Sequence, residues 1–173
     1  MAATTVTFTT TIEAAPGIML PRNHGTELKV YANTVEVATT SLDEADDRVM
    51  VLALPGNARL IDLVIFNDDL DSNGSPTLTA DIGLFYGDGV AGKTAGAAIV
   101  DNVFATAITT LQAANTAGVR VGYEALNIDK IGKPLYEIGG LTLDPGMVYI
   151  GLSVANAAAT AAAGTVTLYA ITA

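Results

Sequence analysis

The stretch from Arg48 to Tyr86 constrains the fold more than any other part of the chain: R-V-M-V-L-A-L-P-G-N-A-R-L-I-D-L-V-I-F-N-D-D-L-D-S-N-G-S-P-T-L-T-A-D-I-G-L-F-Y. Three apolar, β-prone runs lie in it, divided by two turn signals. The first signal is Pro55-Gly56-Asn57. The second, Asp68 to Pro76, gathers Asp, Asn, Ser, Gly and Pro, residues that preset turn dihedrals or hydrogen-bond their own backbone. In Arg48–Leu54, Val49, Val51 and Ala53 alternate with Met50, Leu52 and Leu54. From Ala58 to Phe66 nearly every residue is apolar except Arg59 and Asp62. Such a run marks a strand covered on both faces, by a second sheet or by a neighbouring subunit. Thr77–Tyr86 alternates cleanly, with Leu78, Ala80, Ile82 and Leu84 toward a core and Thr77, Thr79, Asp81 and Gly83 away from it.

The flanks supply more strands. Glu27–Thr39 alternates, with neither face purely polar. Met147–Val154 comes after the turn Asp144-Pro145-Gly146 and puts Val148, Ile150, Leu152 and Val154 on one face; Thr165–Ile171 does the same with Val166, Leu168 and Ala170. The Ala-rich piece between these two reads as a long hairpin connection. Ile99, Val103, Phe104, Ala107, Ile108 and Leu111 fall at helical spacing and predict an amphipathic helix, capped by Asp101 and ended before Gly118. Val119–Tyr123 reads as a return strand, and Gly132 and Pro134 divide Asn127–Ile138 into two short turns. The total is about seven or eight strands, mostly in hairpin-like succession. The expectation is a mainly β chain: an antiparallel β-sandwich, jelly-roll-like, with one or two short helices in its connections. Residues 27–173 form its single domain, and residues 1–26 form an N-terminal extended arm.

Composition narrows the function classes. A net charge of −10, with eight Lys and Arg scattered along 173 residues, suits neither nucleic acid nor an anionic membrane surface. No apolar run approaches the roughly 20 residues of a spanning helix. The N-terminus, M-A-A-T-T-V-T-F-T-T-T, lacks the basic and apolar regions of a signal peptide. There is no Cys, hence no disulfide or thiolate ligand, and the single His24 excludes a His-rich metal site within one chain. The arm is Thr-rich and broken by Pro16, Gly17, Pro21 and Gly25. It is either a frayed tail or a segment ordered by a neighbour, and Thr4, Val6, Phe8, Ile12, Ile18 and Leu20 are then its partner contacts.

Three motifs carry chemistry on paper. Gly87-Asp88-Gly89-Val90-Ala91-Gly92-Lys93-Thr94 has the letters of a phosphate-binding P-loop. The next residues, Ala95-Gly96-Ala97-Ala98, make a poor first turn for the helix such a loop requires, and Asp88 would repel the phosphates. Asp69-Leu70-Asp71-Ser72-Asn73-Gly74 opens like an EF-hand loop, but position twelve is Ala80 and not the bidentate Glu. Asp68, Asp69, Asp71 and Asn73 are therefore a weak calcium candidate, with an Asx-rich turn as the plainer reading. Asp62, inside an apolar strand, reads as half of an ion pair with Arg59 or Arg48, or as a group facing a neighbour. The acidic loop Ser41–Asp47 reads as a solvated turn, or else as a cation or partner contact. No catalytic constellation and no cofactor site emerges.

Ala58–Asp62 through Asn67–Asp71, Ala80–Tyr86, Lys133–Leu141 and the Ala-rich ending before Gly164–Leu168 resemble framework segments of small structural proteins from tailed-phage head gene clusters. The likeness runs from about Arg48 onward and points to capsid decoration, or cement, proteins. That resemblance implies a non-enzymatic, often trimeric β-sandwich on the outer capsid surface, bridging major capsid protein subunits without cofactors, nucleic acid or membrane. The alternative is a fibre- or tail-associated β-sandwich that reads glycans. It requires exposed aromatics such as Tyr31, Phe85, Tyr86 and Tyr136 on one face.

Overall fold

The computed structural model describes residues 8–9 and 28–173. Nine strands run antiparallel among the described residues: β1 (Phe8–Thr9), β2 (Lys29–Val37), β3 (Arg48–Pro55), β4 (Leu60–Asn67), β5 (Thr79–Tyr86), β6 (Ala98–Ile108), β7 (Asn115–Arg120), β8 (Met147–Asn156) and β9 (Gly164–Thr172). One sheet has the order β1-β2-β9-β4-β7 and the other β3-β8-β5-β6. The chain therefore crosses between the sheets at every connection from β2 to β9 except β5 to β6. This is the two-sheet winding of a jelly roll, and the expected architecture is present. The arm residues Thr4, Val6, Ile12, Ile18 and Leu20 lie outside the described residues, as does His24; Phe8 sits in β1.

The inner faces follow from alternation. Leu63 and Ile65 of β4 and Val166, Leu168 and Ala170 of β9 meet Ala80, Ile82 and Leu84 of β5 and Val148, Ile150 and Leu152 of β8. Each large side chain so buried contributes about 1.5–3 kcal/mol relative to leaving it in water. In β3 a bulge between Met50 and Leu52 breaks the pleat, so that Val51 and Leu52 are both buried and Ala53 is exposed.

Three expectations are corrected. Residues 98–108 form strand β6, not a helix. It carries eleven residues against the eight of β5, and the excess is taken up in three register shifts. The bulges bring Val103, Phe104 and Ala105 inward together and then Ile108, which imitates helical spacing. The extra backbone lies over Gly83, where a Cβ would come 2.3 Å from the Asp101 carbonyl carbon. Second, the Ala-rich piece is not a hairpin connection: it carries the chain from β8 in one sheet to β9 in the other. Third, strand succession is not hairpin-like, for the same reason. The two short turns between Asn127 and Ile138 are as expected, a helical turn at Ile128–Lys130 and a four-residue helix α1 at Leu135–Ile138. Leu135 and Ile138 are buried at one end of the sandwich, tied down by Leu135 N–H to Ala58 O and Tyr136 N–H to Gly56 O.

Candidate interface on an outer sheet face

The Asp-rich turn is a hydrogen-bonded clasp. Asp71 is 1% exposed, and its carboxylate accepts four backbone N–H groups: Thr77 (2.7 Å), Leu78 (3.0 Å), Ala159 (3.1 Å) and Thr160 (2.9 Å). Burial alone would raise its pKa; the four amides outweigh burial and hold it at about 2. The Asp68 carboxylate accepts from the Thr165 hydroxyl and amide, which lowers its pKa. Asp69 accepts from Asp71 N–H, and Asn73 bonds Ser75 N–H and Thr160. The four residues thus lie close in sequence, but their oxygens face N–H and O–H donors, and among the described residues no three carboxylates or imidazoles converge as a metal set. The clasp joins the β4–β5 loop to the crossing that leads into β9.

The glycine-rich loop lies against the outer face of the β3-β8-β5-β6 sheet. It runs from β5 into strand β6, so the helix a P-loop needs is missing and that reading falls. Asp88 accepts a hydrogen bond from the Tyr149 hydroxyl, which raises the tyrosine's pKa, and Lys93 lies 5.0 Å from the Tyr86 ring centroid. Tyr86 N–H donates to Ala97 O and Gly96 N–H to Tyr86 O, folding the loop back. Phe85, on this outer face, is fully buried, with the Arg48 guanidinium 5.8 Å from its ring centroid. The aromatics that a glycan platform would need do not share a face. Tyr31 packs on the core, Phe85 is buried, and Tyr136 sits on α1 beside Glu137.

The outer face of the β2-β9-β4-β7 sheet is different. Register sets its rows: Val30, Ile171 and Asp62; Ala32, Tyr169, Val64 and Arg120; Thr34, Thr167 and Phe66. Apart from exposed Thr34 and Arg120 these side chains are half-buried. A sheet face turned to water is ordinarily polar, and this one carries Val, Ile, Tyr and Phe in its rows. At its edge, Asp62 pairs with Arg120 at 3.1 Å, not with Arg59 or Arg48 as expected. The Arg59 side chain instead donates to Gly132 O. The single Tyr123 hydroxyl proton is shared between Ile61 O (2.7 Å) and Leu60 O (3.0 Å), and burial followed by the Asp62 charge raises its pKa. Ile61, Asp62, Arg120, Gly122, Tyr123 and Ile171 line an open cleft beside the face. Sequence patterning does not single out Arg120 or Tyr169. For Tyr169 a signal exists in the outer alternate set of β9, where Thr167, Tyr169 and Ile171 are as regular as the inner set.

No family model matches the chain, and no curated protein matches it. Two solved structures do. A chain of the cyanophage Pam1 capsid asymmetric unit is 23% identical, covers 93% of this chain and 96% of its own, and superposes with a TM-score of 0.57. A chain of the capsid of Ralstonia phage GP4 is 27% identical, covers 89% and 88%, and has a TM-score of 0.56. The first is a likeness of fold. The second supports a phage capsid-related protein.

Proposed function

We propose that this chain is a non-enzymatic structural protein of a virus particle, which decorates the outer capsid shell, bridges major capsid protein subunits and self-associates as a trimer. The observation that carries the reading is the half-buried apolar outer face built by Val30, Ala32, Val64, Phe66, Tyr169 and Ile171 on a fold shared with chains of phage capsids. On the opposite outer face the glycine-rich loop folds against the sheet through Asp88 and Tyr149, and Phe85 is fully buried. The charge of −10 keeps such a protein soluble and away from nucleic acid. Binding would draw on apolar burial across the sheet, with Arg120 and Asp62 at its rim supplying orientation more than affinity.

The test is co-sedimentation with undecorated shells of the phage that encodes the chain, comparing the natural protein with Tyr169→Asp. Tyr169 is on the outer face, so the variant should keep its melting temperature within about 3 °C, an effect of about 1 kcal/mol, and lose shell binding at least tenfold. Failure of the natural protein to saturate shells at a fixed copy number, or indifference to Tyr169→Asp, would overturn the proposal.

A further inference from the structure

The large apolar side chains that this chain exposes gather at one end of the sandwich. Six of the eight exposed among the described residues belong there: Ile61, Tyr123, Ile128, Ile131, Leu143 and Met147. Ile128 and Leu143 are 82% and 81% exposed. This is the end where β3 stops and β4 and β8 begin. Hydrogen bonds lock its parts together. The Tyr123 hydroxyl lies on Leu60 O and Ile61 O, and the Arg59 side chain donates to Gly132 O. Tyr136 N–H donates to Gly56 O, and Gly56 N–H donates to Gly146 O. Ile61 and Met147 thus stand on different sheets, with α1 tied across the junction between them.

The two ends also differ in charge. At the far end the Ser41–Asp47 loop and the Asp-rich turn carry seven carboxylates, with Arg48 at the start of β3. The connection from β8 to β9 joins the two, through Ala158 N–H to Leu42 O and Thr160 N–H to Asp71. At the apolar end and in the cleft beside it, four cations, Arg59, Arg120, Lys130 and Lys133, stand among five carboxylates, Asp62, Glu124, Asp129, Glu137 and Asp144, so the charges nearly cancel. Copies that each carry −10 repel one another, and the repulsion is weakest where charge is balanced.

We infer that this apolar end is where copies of this chain meet one another, with the acidic ends held apart. The inference gives a surface to the self-association in the proposed function and rests on that part of it. The exposed fractions of the six side chains amount to roughly 200–400 Å² of apolar surface. A standard interface buries about 800 Å² per partner, a little over half of it apolar, so the six supply roughly half or more of what one needs. Apolar groups stand on the sides of both sheets. The Leu143–Met147 side of one copy then meets the Ile128–Ile131 side of the next, a head-to-tail contact of the kind that closes into a ring.

Light scattering of the purified protein at micromolar concentration, without shells, tests this. The natural protein is expected at three times its chain mass of 17.7 kDa. Ile128→Asp and Leu143→Asp, each checked for a native-like circular dichroism spectrum and a cooperative melt, are expected to weaken association at least tenfold. Tyr169→Asp, on the sheet face, is expected to stay assembled. An assembly that both end variants leave intact within twofold, or that only Tyr169→Asp dissociates, would overturn the inference and leave self-association standing. A monomeric natural protein would overturn both, while co-sedimentation still tests shell binding.

Discussion

Removing the Asp71 carboxylate is the sharpest test of what holds this sandwich closed at the clasp end. One oxygen of Asp71 accepts from Thr77, Leu78 and Ala159, and the other from Thr160. Asp71→Ala deletes all four acceptors at once at a site only 1% exposed. Two routes bound the cost. The depression of the pKa from 3.8 to about 2 means that the fold favours the ionised over the protonated acid. At 1.36 kcal/mol per unit, that preference is about 2 kcal/mol. Leaving buried amides unpaired costs about 1–3 kcal/mol each, partly recovered where water reaches the exposed Thr77, Ala159 and Thr160. A loss of about 3 kcal/mol is therefore expected, a fall of about 10 °C in melting temperature for a domain of this size.

The pH dependence provides a second check. The folded-state pKa of Asp71 lies below its unfolded value, so its contribution is complete above about 3.8 and is lost as pH falls from 3.8 toward about 2. Seventeen other acidic residues also titrate, which is why the quantity to follow is the stability difference between the natural protein and Asp71→Ala in urea melts. That difference should shrink by about 2 kcal/mol between pH 5 and pH 2. Asp71→Asn should rescue only in part, because its oxygen can serve Thr77, Leu78 and Ala159 while its NH2 is turned toward the Thr160 N–H. A loss under about 0.5 kcal/mol for Asp71→Ala, or a difference flat across that pH window, would refute the reasoning.

Gly118 lies at φ +79 and a Cβ there would sit 2.6 Å from the Phe66 ring and 2.8 Å from Val64, so Gly118→Ala is expected to cost about 2 kcal/mol in urea unfolding. Deleting residues 1–26 is expected to leave a cooperative melt of the sandwich while weakening shell binding, measured by co-sedimentation; full binding by the truncated chain would count against the arm's role.

The legible part of the fold is the part with an unbroken pleat. β5, β8 and β9 read directly from alternation because each has an undisturbed inner row, such as Val166, Leu168 and Ala170. β6 does not, because period-two patterning assumes one residue per pleat, and three register shifts against β5 destroy it. Ala107, at φ 50, sits in the disturbed segment. Topology is also illegible. Pro55-Gly56-Asn57 signals a turn equally well whether the next strand pairs with the last or crosses to the other sheet, and here it crosses. The partner of Asp62 escapes a linear reading because Arg120 lies on β7, and only register brings Arg120 opposite Val64, next to Asp62 on the adjacent row. The Asp-rich turn shows its residue types but not their acceptor roles, since the amides of Ala159 and Thr160 come from the far end of the chain.

The apolar strand Ala58–Phe66 raises the question of what covers its second face, and the sandwich answers it by contrast. Both sheets place large side chains outward, Phe85 on one and Phe66 on the other. Phe85 is fully buried, closed in under Arg48 on the face against which the glycine-rich loop folds, whereas Phe66 rests against Gly118 and remains half-buried. The remaining exposed area of the half-buried Val64, Phe66, Tyr169 and Ile171 would gain about 25 cal/mol per Å² if another surface covered it. In the proposed particle, that cover comes from the shell. The stability that matters then belongs to the assembly, so a substitution on this face should move shell affinity far more than it moves the melting temperature of the isolated chain.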